Sequence, residues 1–102
     1  MRTVMVSVGR NIGNVPMSDK DWTTFVNRVA DAIRRANESP EIHFGHGVWD
    51  GIREESAHIT VYRNTDTEIP RTMIYERLRY LAKYFGQDAI ALTISEPTLV
   101  GG

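Results

Sequence analysis

Three features of the chain predict an α+β domain of the ferredoxin-like plan, a four-stranded antiparallel sheet with two helices on one face. Apolar residues recur with period two, then 3.6, then two twice, then 3.6, then two, so the order is strand, helix, strand, strand, helix, strand. An Asp50-Gly51 dipeptide between the second and third strands marks a tight hairpin. The length of 102 residues, 41% of them hydrophobic, suits one two-layer core without staples. Residues 1–96 are therefore expected to form a single domain and 97–102 a flexible tail.

The first strand spans Thr3 to Val8, with Val4, Val6 and Val8 on one side and Met5 and Ser7 on the other. Residues 9–16 break the alternation. Ser18 then reads as a helix N-cap with Asp21 three positions on, and Met17 and Trp22 fit a hydrophobic staple across that start. Trp22, Phe25, Val26, Val29, Ile33 and Ala36 give the helix one apolar face, and Asn37 to Pro40 stops it. Glu41 to Val48 and Arg53 to Arg63 follow as strands. The turn sets Trp49 opposite Ile52, and therefore His43 opposite His58, Gly45 opposite Ser56 and Phe44 opposite Ala57. After a polar connection, Pro70 opens a helix whose apolar stripe is Ile74, Leu78, Leu81 and Phe85, and Gly86 closes it. Ala89 to Ile94 is the last strand.

Right-handed crossovers place the first and third strands at the centre of the sheet and the second and fourth at its edges. The uncovered face then carries Met5, Ser7, His43, Gly45, Gly47, Ser56, His58, Thr60, Tyr62, Ala89, Ala91 and Thr93, short and sparsely charged side chains. A solvent face would be expected to hold more Lys, Glu and Arg, so this one is predicted to be covered by a partner or used by a ligand. The expected interface is Met5, Ser7, Gly45, Gly47, Ser56, Tyr62, Ala89, Ala91 and Thr93, buried in a homodimer.

The composition narrows the chemistry. There is no Cys, which excludes a disulfide scaffold, a thiolate metal site and a cysteine nucleophile. Lys and Arg number 12 against 13 Asp and Glu, so the phosphate neutralisation that drives general nucleic-acid binding is missing, and nucleic acid is not an expected partner. No apolar run approaches a membrane span, and the N-terminus lacks the apolar core of an export signal; a cytoplasmic protein without a membrane partner is the expectation.

Two groups of residues could hold a ligand. His43 and His58 are predicted to be cross-strand neighbours with Cβ atoms about 5 Å apart. They are two ligands where a zinc site needs at least three protein groups, so no metal and no cofactor is expected there. Arg10 and Asn11, between the first strand and the first helix, could meet a phosphate or carboxylate, although the loop matches no phosphate-binding motif and its residues can equally fasten it to neighbouring backbone. No catalytic residues are assigned. Met73, Arg77, Tyr80 and Tyr84 form a strip beside the apolar stripe of the second helix and are expected to pack against the first.

Val8-Gly9-Arg10, Ser18-Asp19 with Trp22 and Phe25, and Gly47 with Trp49, Gly51, Glu55 and Ser56 resemble the pattern of a family of small bacterial and phage domains. In that family a strand carries Gly-Arg, a helix starts Ser-Asp-x-x-Trp, and a Trp-x-Gly hairpin leads into a strand of the Glu-x-Ser kind. With ten Arg to two Lys, the chain looks like an accessory protein of an actinobacterial phage. The resemblance covers roughly residues 1–62 and implies a fold and a setting, with no catalytic residues to carry over; many members follow an export signal, which this N-terminus is not expected to supply. The expected role is a non-enzymatic interaction module that self-associates and engages a host protein. The other reading is a binder or hydrolase of a nucleotide or similar anion, using Arg10, His43 and His58.

Overall fold

The computed structural model describes residues 2–49, 51–63, 71–95 and 100–101. Its elements in chain order are β1 (Arg2–Gly9), β2 (Asn11–Ile12), β3 (Val15–Pro16), α1 (Asp19–Ile33), β4 (Glu41–Trp49), β5 (Ile52–Arg63), α2 (Arg71–Tyr84) and β6 (Ala91–Ser95). The main sheet has the order β4-β5-β1-β6, antiparallel throughout, so β1 and β5 are central as the crossover rule requires. This is the ferredoxin-like arrangement. Polar residues 64–70, Pro70 included, and most of the expected tail lie outside the described residues.

The core forms because one face of every long element is apolar. Val4, Val6 and Val8 of β1 lie beside Val61, Ile59 and Ala57 of β5, and Phe25, Val26, Val29 and Ile33 of α1 and Ile74, Leu78 and Leu81 of α2 cover them in one buried cluster. Both helices therefore sit on the same side. The β4–β5 register is the one the turn predicts, from Trp49 opposite Ile52 to Glu41 opposite Thr60, with Gly51 at φ 77° in the turn.

Each helix end has a physical cause. The Ser18 hydroxyl accepts the Asp21 N–H at 3.2 Å, and Met17 and Trp22, both buried, occupy the staple positions. α2 closes in a Schellman turn: the Gln87 N–H donates to the Ala82 carbonyl at 2.8 Å, the Gly86 N–H to Lys83 at 3.3 Å, and Gly86 takes φ 69°. α1 stops at Ile33, three residues before the Ala36 that its periodicity suggests, because Arg34 is extended at ψ 153°. Its last carbonyls are met from outside the helix. Arg77 donates to the Ala32 carbonyl at 3.1 Å, and Arg63 donates to that of Ile33.

Several expectations are corrected. The last strand runs from Ala91 to Ser95, so Ala89 precedes it and is not part of the paired interface. Thr60, expected on the bare face, is buried, because in a central strand its longer neighbours Met5 and Glu41 flank it. Tyr80 and Tyr84 do not pack against α1; they are 66% and 71% exposed and stack on each other at 6.2 Å. Phe85 makes that helix contact instead, its ring 4.9 Å from Phe25. The segment after β1 is a miniature hairpin, β2 with β3, turning at Gly13 with φ 61°.

Candidate functional site

The miniature hairpin creates a cleft at the end of β1. The Arg10 N–H donates to the Glu55 carbonyl at 2.9 Å and the Met17 N–H to the Arg10 carbonyl at 3.0 Å, so residues 10–17 close as a loop beside the sheet. The Ile12 side chain reaches the space over Gly86, and the Gln87 carboxamide donates to the Asn11 carbonyl at 3.1 Å. Those contacts tie the hairpin to the α2–β6 connection. Between them and the end of β1 lies a cleft of about 510 Å³, with Ser7, Gly9, Glu54, Gln87, Asp88 and Ala91 among its lining residues.

Glu54 and Glu55 divide the work that adjacent strand residues can divide. Their side chains point to opposite faces of β5. The Glu54 carboxylate turns to the cleft and accepts the Asn11 N–H at 2.9 Å. It lies where a Cβ on Gly9 would stand, within 2.5 Å of that position, so Gly9 is what allows the carboxylate to approach the strand. Gly9→Ala should displace the flexible end of Glu54 and break the bond to Asn11. A loss of about 1.5 to 3 kcal/mol is expected for a bond to a charged acceptor, read from urea denaturation; an unchanged midpoint would refute the close approach.

Glu55 belongs to the helix side and to Arg10. Arg10 Nη1 donates to Glu55 at 2.6 Å, Nη2 to Asp19 at 2.6 Å, and Nε to the Met17 carbonyl at 2.8 Å. All three nitrogens of the guanidinium are occupied within the fold. Bonding to Asp19 and then to Glu55 raises the arginine above its ordinary range, so the guanidinium itself gives up its charge only in strong alkali. Arg10 thus clamps the hairpin to the start of α1, and its guanidinium is on the far side of the sheet from the cleft. Asn11 does line the cleft.

His43 and His58 stand opposite each other on the open face, as the register requires. Neither lines the cleft. His43 Nε2 lies 3.5 Å from Glu41 Oε2, and His58 Nδ1 is 2.8 Å from Ser7 Oγ. Among the described residues no group of three or more His, Cys, Asp or Glu side chains is placed to hold a metal ion. Tyr62 and Thr93 are exposed on the same face, while Met5, Ser7, Gly45, Gly47 and Ser56 are half-buried.

Sequence reasoning missed the cleft and its carboxylate. Ile12-Gly13-Asn14-Val15 has the form of a two-residue hairpin turn between apolar residues, and that signal was available. Glu54 facing the end of β1 was not, because it depends on how β1 pairs with a strand more than forty residues away.

No protein-family model matches the chain, and no curated protein matches it. Solved structures share its fold. A phage SAM lyase in complex with S-methyl-5'-thioadenosine superposes with a TM-score of 0.52 at 19% identity, over 93% of this chain and 80% of that one. The apo state of a phage SAM lyase gives 0.53 at 16% identity, over 92% and 78%. A de novo designed protein, Foldit4, gives 0.52 at 15% identity, over 95% and 96%. The likeness to a designed protein as well as to an enzyme makes the point that the plan itself carries no activity. No helix among the described residues is long and apolar enough to cross a membrane.

Proposed function

We propose that this chain is a small-ligand-binding domain whose cleft takes a nucleoside-sized ligand without negative charge. The observation that carries this reading is the lining. It offers the Ser7 hydroxyl, the carboxamides of Asn11, Asn14 and Gln87 and the carboxylates of Glu54 and Asp88, with no Lys or Arg. A volume of about 510 Å³ is in the ordinary range for a small-molecule site. Gly13, Ala89 and Ala91 are small enough to leave backbone accessible to a flat ring. Carboxylates without a facing cation disfavour a phosphate and favour a neutral or positively charged group. The anion reading built on Arg10 therefore gives way to this one. The fold shared with a phage protein that holds a nucleoside thioether supports the ligand class.

Thermal-shift titration with adenosine, S-methyl-5'-thioadenosine, S-adenosylmethionine and adenosine 5'-monophosphate tests it. A ligand at a hundred times its Kd adds about 2.7 kcal/mol of stability, several degrees for a domain this size. The unphosphorylated compounds are expected to raise the midpoint and the monophosphate to leave it unchanged. A stronger shift with the monophosphate, or none with any of the four, would overturn the reading.

A second reading is favoured by the open face. Its side chains at Ser7, Gly45, Gly47, Ser56, Ala91 and Thr93 are short, so a second sheet can approach it closely. Self-association as a two-fold dimer through the open face would cover about 800 Å² per copy, within reach of a four-stranded face. Light scattering at micromolar concentration is expected to give a dimer, and Ala91→Arg, which puts a charge at the sheet surface beside Ser7, to give monomers. A wild-type monomer, or a dimer indifferent to the substitution, would remove this reading.

A further inference from the structure

Ser7 belongs to two arrangements at once. It lines the cleft, and across the β1–β5 ladder its partner is His58, whose Nδ1 lies 2.8 Å from the Ser7 hydroxyl oxygen. That distance is the one at which an imidazole takes a hydroxyl proton. His58 is itself opposite His43, and His43 approaches Glu41 at 3.5 Å, so hydroxyl, two imidazoles and a carboxylate follow one another across the open face.

We infer that Ser7 and His58 are the nucleophile and general base of a hydrolytic site, acting on a carboxylic ester or thioester held in the cleft. The inference rests on the cleft being a ligand site, and it names the class of substrate. The neutral imidazole with its proton on Nε2 leaves Nδ1 free to accept, which is the tautomer the contact to Ser7 calls for. In the first step the Ser7 oxygen bonds to the acyl carbon and its proton passes to His58 Nδ1. The tetrahedral species then breaks its bond to the leaving alkoxide or thiolate, which takes the proton from His58. Water repeats the sequence on the acyl-serine: His58 accepts a water proton as the new bond forms and returns it to the departing Ser7 oxygen. The sum is ester or thioester plus water to acid plus alcohol or thiol, with no other reactant.

The lining suits this chemistry on both sides of the acyl group. The carboxamides of Asn11 and Asn14 are donors of the type that stabilises a developing oxyanion, and Glu54 and Asp88 turn away acyl groups that carry negative charge. The serine is also held by more than its side chain. Its backbone is in register with His58 on one side and Ala91 on the other, so the hydroxyl is presented from the centre of the sheet.

Reaction with diisopropyl fluorophosphate at mildly alkaline pH, followed by peptide mass mapping, tests the pair. Ser7 is expected to be the residue modified in the full chain, and Ser7→Ala to abolish the adduct. His58→Gln, which keeps a hydrogen-bonding side chain on an exposed position, is expected to slow labelling about a hundredfold or more while the far-UV circular dichroism is unchanged. No adduct, an adduct at Ser18, Ser39, Ser56 or Ser95 in place of Ser7, or an undiminished rate in His58→Gln would overturn the assignment. The thermal shift with adenosine is measured on the same samples. If adenosine binds and Ser7 is not labelled, the nucleophile falls and the ligand site stands; if Ser7 is labelled through His58 and adenosine does not bind, the pair stands and the nucleoside class falls.

Discussion

Trp22→Ala should cost about 3 to 5 kcal/mol, which is a large part of the stability of any domain this small. The indole is only 6% exposed, and it occupies a junction of three elements. It is the fourth residue of α1, where with Met17 it sets the angle at which the chain enters the helix. Its ring lies 6.3 Å from Phe25 in the same helix and 6.3 Å, edge to face, from Phe44 of β4. Phe44 has little other cover at 65% exposure, so the truncation removes a buried ring and also the support of an exposed one. The midpoint should fall by more than about 12 °C, read by far-UV circular dichroism. Trp22→Phe should recover more than half of the loss, because it keeps an apolar ring at the junction. A loss below about 1 kcal/mol in Trp22→Ala would show that the junction is not held by this side chain and would return the indole to the candidates for a binding surface.

Such a junction is legible because every signal that builds it is local. Ser18, Asp21, Met17 and Trp22 lie within six consecutive residues, the hairpin register follows from one dipeptide, and Gly86 marks the end of α2 by its need for a positive φ. What the sequence conceals depends on residues far apart. Nothing in residues 30–36 says that α1 ends at Ile33, since the donors that satisfy its last carbonyls come from Arg63, thirty residues on, and Arg77, forty-five on. The Ser7 contact to His58 spans 51 positions and follows from the β1–β5 register, which no hairpin turn sets. The His43 and His58 register was readable; the serine that gives one of these histidines its partner was not. The cleft is harder still, for its lining comes from β1, the miniature hairpin, β5, the α2–β6 connection and β6 itself, five segments that only the finished sheet brings together.

Arg63→Met should cost about 3 kcal/mol or more, although it replaces a charged residue by an apolar one of similar length. The Arg63 side chain is 1% exposed at the end of β5, and Nη2 donates both to the Ile33 carbonyl and to Glu38 at 2.8 Å. Glu38 Oε1 also accepts the Arg35 N–H at 2.7 Å. One guanidinium thus ends α1, anchors the turn that follows and joins both to the sheet. The methionine restores packing volume but leaves a carboxylate at 16% exposure without its close cation, with only the Arg35 guanidinium at 3.9 Å beside it, and a helix carbonyl without its donor; those two losses decide the sign. Arg63→Lys should recover part of the loss, since both bonds leave from the one nitrogen Nη2 and an ammonium keeps the cation beside Glu38. The diagnostic is the double variant. Once Glu38 is also Met, no carboxylate remains to be stranded, so the pair should cost less than the sum of the two single substitutions by about 0.5 to 3 kcal/mol. Additive losses, or an Arg63→Met protein within about 1 kcal/mol of the parent in urea, would mean that α1 ends where it does without the arginine, and that its early stop comes from the local sequence after all.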